Sequence, residues 1–269
     1  MMKKLLSGCS LAMAVMLSAP AAQAVPVDLE LILATDTSGS VDGTDFALRR
    51  SGVEAAFRSA AVISAIEGGA IGSIAVALWD FGTGVGVAVD WFRISNATEA
   101  NAFADAVAAA GRLDGGGDGQ ANMLRQALIA VNGNGFEGTR KVVDINSEGV
   151  QSGEGCVFNS PDCAAVRDAR NAFLAGGGTA VNAIWMNDRD FFGLDASDAV
   201  NAFEYGTTSV IGGTGAFQVF AETNADFVSA IQNKLIREIT PVPEPATLLL
   251  ASLGLMGVAF AGRRRSAKA

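Results

Sequence analysis

Apolar residues along this chain follow two different spacings, and the switches between them outline its elements. Short apolar or alternating runs predict strands over 28–35, 72–79, 85–91, 141–145, 179–185 and 217–220. Helical spacing predicts helices over 44–65, 98–110, 121–131, 162–175 and 226–238. In the first helix Phe46, Leu48, Val53, Phe57, Ala60, Ala61 and Ile63 make the apolar face, with Arg49, Arg50 and Glu54 expected toward solvent. In the last helix the apolar side carries Phe227, Ile231, Leu235 and Ile236. The link Gly82-Thr83-Gly84 is short enough for a hairpin, so the second and third strands should be antiparallel. Strand–helix alternation elsewhere implies an α/β, Rossmann-like, doubly wound and mostly parallel sheet with one antiparallel edge strand. Such sheets bind ligands at the carboxyl ends of their strands, where the winding reverses. The first strand of such a sheet is usually central, so Asp36, just past it, is expected at that crevice.

The two ends of the chain follow a different logic. Residues 1–24 have a basic start (Lys3, Lys4), an apolar stretch and the small-residue site Ala22-Gln23-Ala24, the pattern of a secretory signal peptide. Leu6-Ser7-Gly8-Cys9 spells a lipoprotein box but precedes most of the apolar stretch, so it reads as chance. Residues 246–262 are an apolar run just long enough to span a bilayer, followed by Arg263-Arg264-Arg265. With Pro243-Glu244-Pro245 directly before it, residues 241–269 resemble the PEP-CTERM sorting signal of Gram-negative bacteria; a plain single-span tail anchor is the alternative. The resemblance implies export through the inner membrane, transient membrane contact through the C-terminal helix, and processing by an exosortase-type enzyme. The destination would be the cell surface or the extracellular matrix. The domain proper is then 25–240.

Composition narrows the chemistry. The chain of 269 residues contains no histidine, which removes His-dependent triads and the usual zinc sites. It carries −9 overall; setting aside Lys3 and Lys4 at the front and the net +3 after Pro243 leaves −14 on the domain. So acidic a domain is repelled by phosphate backbones and attracts divalent cations, so no nucleic-acid partner is expected. With Cys9 in the signal segment, Cys156 and Cys163 remain, seven residues apart in a loop-like stretch. In an oxidising compartment they are expected to form a loop-stiffening disulfide.

The candidate chemistry lies in Asp36-Thr37-Ser38-Gly39-Ser40. A DxSxS set at a strand end gathers one carboxylate and two hydroxyls in one turn, hard oxygen donors suited to Mg²⁺, Mn²⁺ or Ca²⁺. The plain alternative is a strand-to-helix loop with Ser40 or Asp42 as a helix N-cap. The five residues resemble the first segment of the metal-ion-dependent adhesion site (MIDAS) of von Willebrand factor A (VWA) domains. That pattern adds a Thr from the loop before a later helix and an acidic residue just after the fourth strand. Glu148 is the candidate acid, one methylene longer than the usual Asp, with Asp144 a weaker one. The expected Gly-Gly-Thr is missing from Asp114-Gly115-Gly116-Gly117-Asp118-Gly119-Gln120-Ala121-Asn122. Asn122 and Asp118 are the substitutes the loop offers.

Further stretches, Ile71 to Trp79 with Val89-Asp90-Trp91, Ala180 to Ile184, Val210 to Phe217 and Ile231 to Ile239, resemble the DUF1194 group of secreted A-type domains. The resemblance covers about Val27 to Ile239. It implies a VWA fold and a binding module rather than an enzyme, with a divalent cation, Mg²⁺ first, bridging to an acidic protein or extracellular polymer. Two other readings stand beside it. One is a matrix component with a vestigial metal site, which the missing Thr favours. The other is a metal-assisted hydrolase using Ser38 or Ser40, which lacks an obvious base.

Overall fold

The computed structural model describes residues 23–113, 115–157, 160–186, 202–221 and 224–240. The signal segment 1–24, apart from its last two residues, and the whole sorting segment 241–269 lie outside that set. Among the described residues no helix is long and apolar enough to cross a membrane.

The sheet is built around β2 (Leu29–Asp36), every residue of which is buried. Its period-2 alternation feeds two cores. Leu29, Leu31 and Leu33 enter one, Ile32 and Ala34 the other. On one side β2 pairs in parallel with β3 (Ile74–Phe81), which pairs antiparallel with the edge strand β4 (Val85–Ile94). On the other side it pairs in parallel with β6 (Lys141–Ser147), which pairs in parallel with β7 (Ala180–Met186). The hairpin and the central place of β2 are as the sequence pattern implied. Two short strands then border β7: β8 (Gly212–Gly213), which is antiparallel, and β9 (Gln218–Ala221), which is parallel. A separate two-stranded sheet joins β1 (Val25–Val27) to β5 (Phe136–Gly138). Three residues per strand leave too little periodicity for the sequence to announce it.

Helices cover both faces. α1 (Gly43–Arg58), α2 (Ala60–Glu67), α3 (Ala97–Ala109) and α6 (Asn224–Ile239) enclose the Leu29–Leu31–Leu33 core. α4 (Gln120–Ala130) and α5 (Ala164–Ala175) enclose the other with a π-helical turn, Gly206–Val210.

Two expectations for 44–65 need correction. The segment is two helices, broken at Ser59, whose backbone is extended (φ −76°, ψ 137°). Its hydroxyl donates to the Ala56 carbonyl (2.8 Å) and accepts from the Val62 N–H (3.2 Å), so it closes one helix and caps the next. Arg49 and Arg50, expected in solvent, are buried at 1% and 6% exposure. Arg49 reaches Glu148 and Arg50 reaches Asp80, which is fully buried. The charges point inward because acids at the strand ends wait for them.

Cys156 and Cys163 are joined as a disulfide. It ties the loop after β6 to the start of α5, where the Cys163 N–H donates to Ser209 Oγ (2.9 Å). Replacing both cysteines by serine is expected to lower unfolding free energy by about 2–3 kcal/mol, the loop-closure entropy of so short a ring. Urea denaturation of the wild type and the double variant checks this.

Candidate functional site

Asp36 ends β2 at the carboxyl edge of the sheet and is fully buried. Its Oδ1 accepts the Ser38 N–H (2.8 Å), folding the chain into a tight turn. Thr37 fastens that turn to β3: both its N–H (2.8 Å) and its hydroxyl (3.1 Å) donate to the Phe81 carbonyl. The turn brings Ser38 Oγ and Ser40 Oγ to 3.1 Å from each other. Asp42, not Ser40, caps α1, accepting from the Thr44 (2.6 Å) and Asp45 (2.9 Å) N–H groups. Ser40 is thereby left available to Ser38.

Two arginines hold the loop from outside. Arg112 donates to the carbonyls of Thr37 (2.6 Å), Ser38 (2.7 Å) and Val41 (2.8 Å). Arg49 donates to the Asp36 carbonyl (2.9 Å) and pairs with Glu148 Oε1 at 3.2 Å. These charge-assisted bonds preorganise the turn.

The glycine-rich loop 115–119 closes over it. The Gly39 N–H donates to the Gly116 carbonyl (2.8 Å), and Gly116 adopts φ +81°, a conformation that costs glycine little. Asp118 is then pinned by its backbone: its N–H donates to Ser152 Oγ (2.8 Å), and its carbonyl accepts the Ser152 N–H (3.1 Å).

Ser147, the last residue of β6, links the two acids. Its hydroxyl lies 2.7 Å from Asp36 Oδ2 and 3.4 Å from Asp118 Oδ2. Asp118 Oδ2 also accepts from Gln120 Nε2 (3.1 Å), whereas the buried Asp118 Oδ1 has no hydrogen-bond partner. Gln120 is itself fixed: its Nε2 donates to the Gly149 carbonyl (2.9 Å), and its Oε1 accepts from the Tyr205 hydroxyl (3.0 Å). Burial first, then the negative charges of Asp36 and Glu148, push the Asp118 carboxyl well above the ordinary carboxylate range. Burial and Asp118 likewise raise the Tyr205 hydroxyl, which stays protonated and donating. The site gathers the buried carboxylates of Asp36 and Asp118 around the Ser147 hydroxyl, at the foot of the turn that carries Ser38 and Ser40.

The structure therefore brings Asp36, Ser38, Ser40 and Asp118 together, with Glu148 close by in the hold of Arg49. Asn122 lies elsewhere, lining a surface groove with Trp79, Val85, Val87, Gln126 and Ile129. Two residues along a helix turn the side chain by more than half a revolution, so Gln120 and Asn122 face different sides of α4. Asp144 also lies elsewhere, against Lys234 in the opposite core. Ser147, Gln120 and the clamping arginines were missed by sequence reasoning. The signal that could have found Ser147 was its place as the last residue before the sheet edge. The loop after α3 contributes an acid here, Asp118, where a Thr was expected, and the end of β6 contributes a hydroxyl, Ser147, where an acid was expected. Among the described residues no three His, Cys, Asp or Glu side chains form a metal-holding group.

The family model described as "Protein of unknown function (DUF1194)" matches residues 26–243, most of the chain. The chain belongs to the DUF1194 family. A second model, the PEP-CTERM protein-sorting motif, matches residues 241–265 of this DUF1194 protein, the segment that begins at its proline-rich linker. No curated protein matches it. Among solved structures, its fold is similar to proximal thread matrix protein 1 from the mussel byssus. The TM-score there is 0.53 at 14% identity, over 80% of this chain and 49% of that one. It is also similar to a von Willebrand factor type A protein from Catenulispora acidiphila (TM-score 0.52, 14% identity, 79% of this chain and 43% of that one). A third is the vWF domain of the type V pili tip protein Mfa5 from Porphyromonas gingivalis (TM-score 0.51, 13% identity, 82% and 99%). The DUF1194 chain spans about half the length of the first two. At these identities the likeness establishes a VWA fold and nothing finer. The byssus protein has also been solved with a zinc-occupied MIDAS motif.

Proposed function

We propose that this protein is an exported, surface-associated binding module whose Asp36, Ser38, Ser40, Ser147 and Asp118 oxygens hold a divalent cation, Mg²⁺ ahead of Mn²⁺ or Ca²⁺. One observation carries the reading: a fully buried carboxylate oxygen, Asp118 Oδ1, is left without a partner beside a second buried acid. Such an atom costs about 1–3 kcal/mol unless something positive satisfies it. The donor set fits a hard cation, being all oxygen and free of His and Cys. When bound, the cation would supply a positive centre able to accept an acidic group from a partner. Everything else the chain does is positioning. Arg112 and Arg49 hold the serine turn, Gln120 and Tyr205 orient Asp118, and Arg49 keeps Glu148 near enough to add negative potential.

An acidic domain meets an acidic protein or polymer only with a cation between them, which supports that partner class. The PEP-CTERM match and the likeness to a byssus matrix protein and a pilus tip protein support export and a surface or matrix location, with exosortase-type processing. Those neighbours are adhesion and matrix modules, which supports binding over catalysis.

Titration calorimetry of the purified protein with Mg²⁺, Mn²⁺ and Ca²⁺ tests the reading. Saturable binding tighter than millimolar is expected, with Asp36→Ala losing it at least tenfold while circular dichroism stays native. Millimolar or weaker binding by the wild type would favour a vestigial site instead.

A further inference from the structure

The Lys234, Asp144 and Glu238 side chains make a second polar cluster, on the far side of the sheet from α4 and away from the serine turn. Asp144 sits mid-strand in β6, in register with Leu33 of β2 and Asn182 of β7. Lys234 and Glu238 lie one turn apart on α6. All three are buried, with side-chain exposures of 0%, 2% and 0% for Lys234, Asp144 and Glu238. Lys234 Nζ touches both Asp144 Oδ1 and Glu238 Oε1. Asn182 holds Glu238 in place through Nδ2 (2.8 Å to Oε1), while its own Oδ1 accepts the Phe217 N–H (3.0 Å). The Phe217 ring lies 5.3 Å from Nζ and is covered in turn by Arg237 at 3.7 Å, which closes the cluster to water.

The contact with Asp144 is not an ordinary ion pair. Although Nζ lies against the carboxylate, neither Asp144 oxygen has a hydrogen-bond partner. The nitrogen and the carboxyl group are therefore in close contact without a hydrogen bond between them. Beside it is a second carboxyl, Glu238, which burial and Asp144 push up to about 7, so it gives and takes a proton readily near neutrality. A dry site raises the free energy of the charged pair relative to a neutral product. Fixed juxtaposition supplies the high effective concentration that amide formation needs.

We propose that Lys234 and Asp144 join as an intramolecular isopeptide bond, with Glu238 as the proton carrier. Glu238 takes a proton from the Lys234 ammonium, and the freed Nζ attacks Asp144 Cγ. The Nζ–Cγ bond forms and one Cγ–O bond breaks. That oxygen leaves as water, taking two protons in all from the nitrogen, one of them relayed by Glu238, which ends as it began. Ammonium and carboxylate become amide plus water, with no oxidant, reductant or activated co-reactant. The product ties α6, the last element before the sorting segment at residue 241, directly to a strand beside the centre of the sheet. Tension entering from the C-terminal end would then reach β6 through a covalent bond rather than through side-chain packing.

Intact-mass spectrometry of the denatured, full-length protein tests this. A mass about 18 Da below that of the disulfide-bonded chain is expected, with a branched tryptic peptide joining the Lys234 and Asp144 segments. Lys234→Arg and Asp144→Ala should each restore the full mass. Glu238→Gln, which keeps the volume and the Asn182 neighbour, should leave most of the folded chain unlinked. A folded wild-type protein of full mass with no branched peptide overturns the proposal, whether or not any variant folds.

Discussion

Asp118→Asn is expected to make the protein more stable and to abolish its response to divalent cations. In the cation-free state Asp118 is buried beside Asp36 and Glu148, with one oxygen unpartnered, so its charge opposes folding. An amide keeps the shape and the backbone bonds to Ser152 while removing that charge. A gain on the order of 1–3 kcal/mol is expected at neutral pH, visible as a rise in Tm without added metal. Adding Mg²⁺ should raise the wild-type Tm in proportion to saturation and leave the variant unmoved. A variant that loses stability, or that still shifts with Mg²⁺, would show that Asp118 is satisfied in some other way. Such a trade of stability for charge is what the proposed binding centre would entail, because the carboxylate that weakens the fold would also attract a cation.

Asp80→Ala should be among the most damaging single changes in the domain. Asp80 is fully buried, bonded to Arg50 at 2.5 Å, and accepts the Leu113 N–H at 3.1 Å. Removing it leaves the Arg50 guanidinium buried at 6% exposure, with Nε and Nη1 already lacking partners. A loss of about 3–5 kcal/mol is expected, lowering Tm by roughly 10 °C. The Leu113 N–H is orphaned too, which loosens the loop that carries Arg112 to the serine turn. Cation affinity should therefore fall along with stability, although Asp80 makes no contact with the proposed ligands. The paired replacement Arg50→Met with Asp80→Leu should recover most of the stability, since an apolar pair of similar volume carries no desolvation cost. If the double variant is as unstable as the single one, packing rather than charge holds this corner together.

The order of elements was legible because each strand of the sheet's interior is an apolar run long enough to be seen, and each helix has a face. The serine turn was legible because all its donors lie within five residues, Asp36 to Ser40. Arg49 and Arg50 misled because helical spacing shows which residues share a face. It does not show that acids from β3 and from the loop after β6 are aimed at that face. Ser59 misled because a serine is tolerated inside a helix until its hydroxyl finds a better backbone partner. Asn122 was a matter of register: the site's glutamine is Gln120, two residues earlier, and only the observed start of α4 separates the two.

What the sequence determined by itself was therefore local. It set the longer strands, the helical segments, the hairpin, the DxSxS turn and the pairing of two cysteines seven residues apart, because propensity and spacing act within a few residues. Tertiary structure decided everything that depends on distant strands ending at one edge. It brought Ser147 between Asp36 and Asp118, gave Arg49 to Glu148, and carried Asp144 away from the serine turn to Lys234. The physical reason is common to all three. A buried charge must find a partner wherever the fold places one, and that partner lies 29 to 111 positions away along the chain.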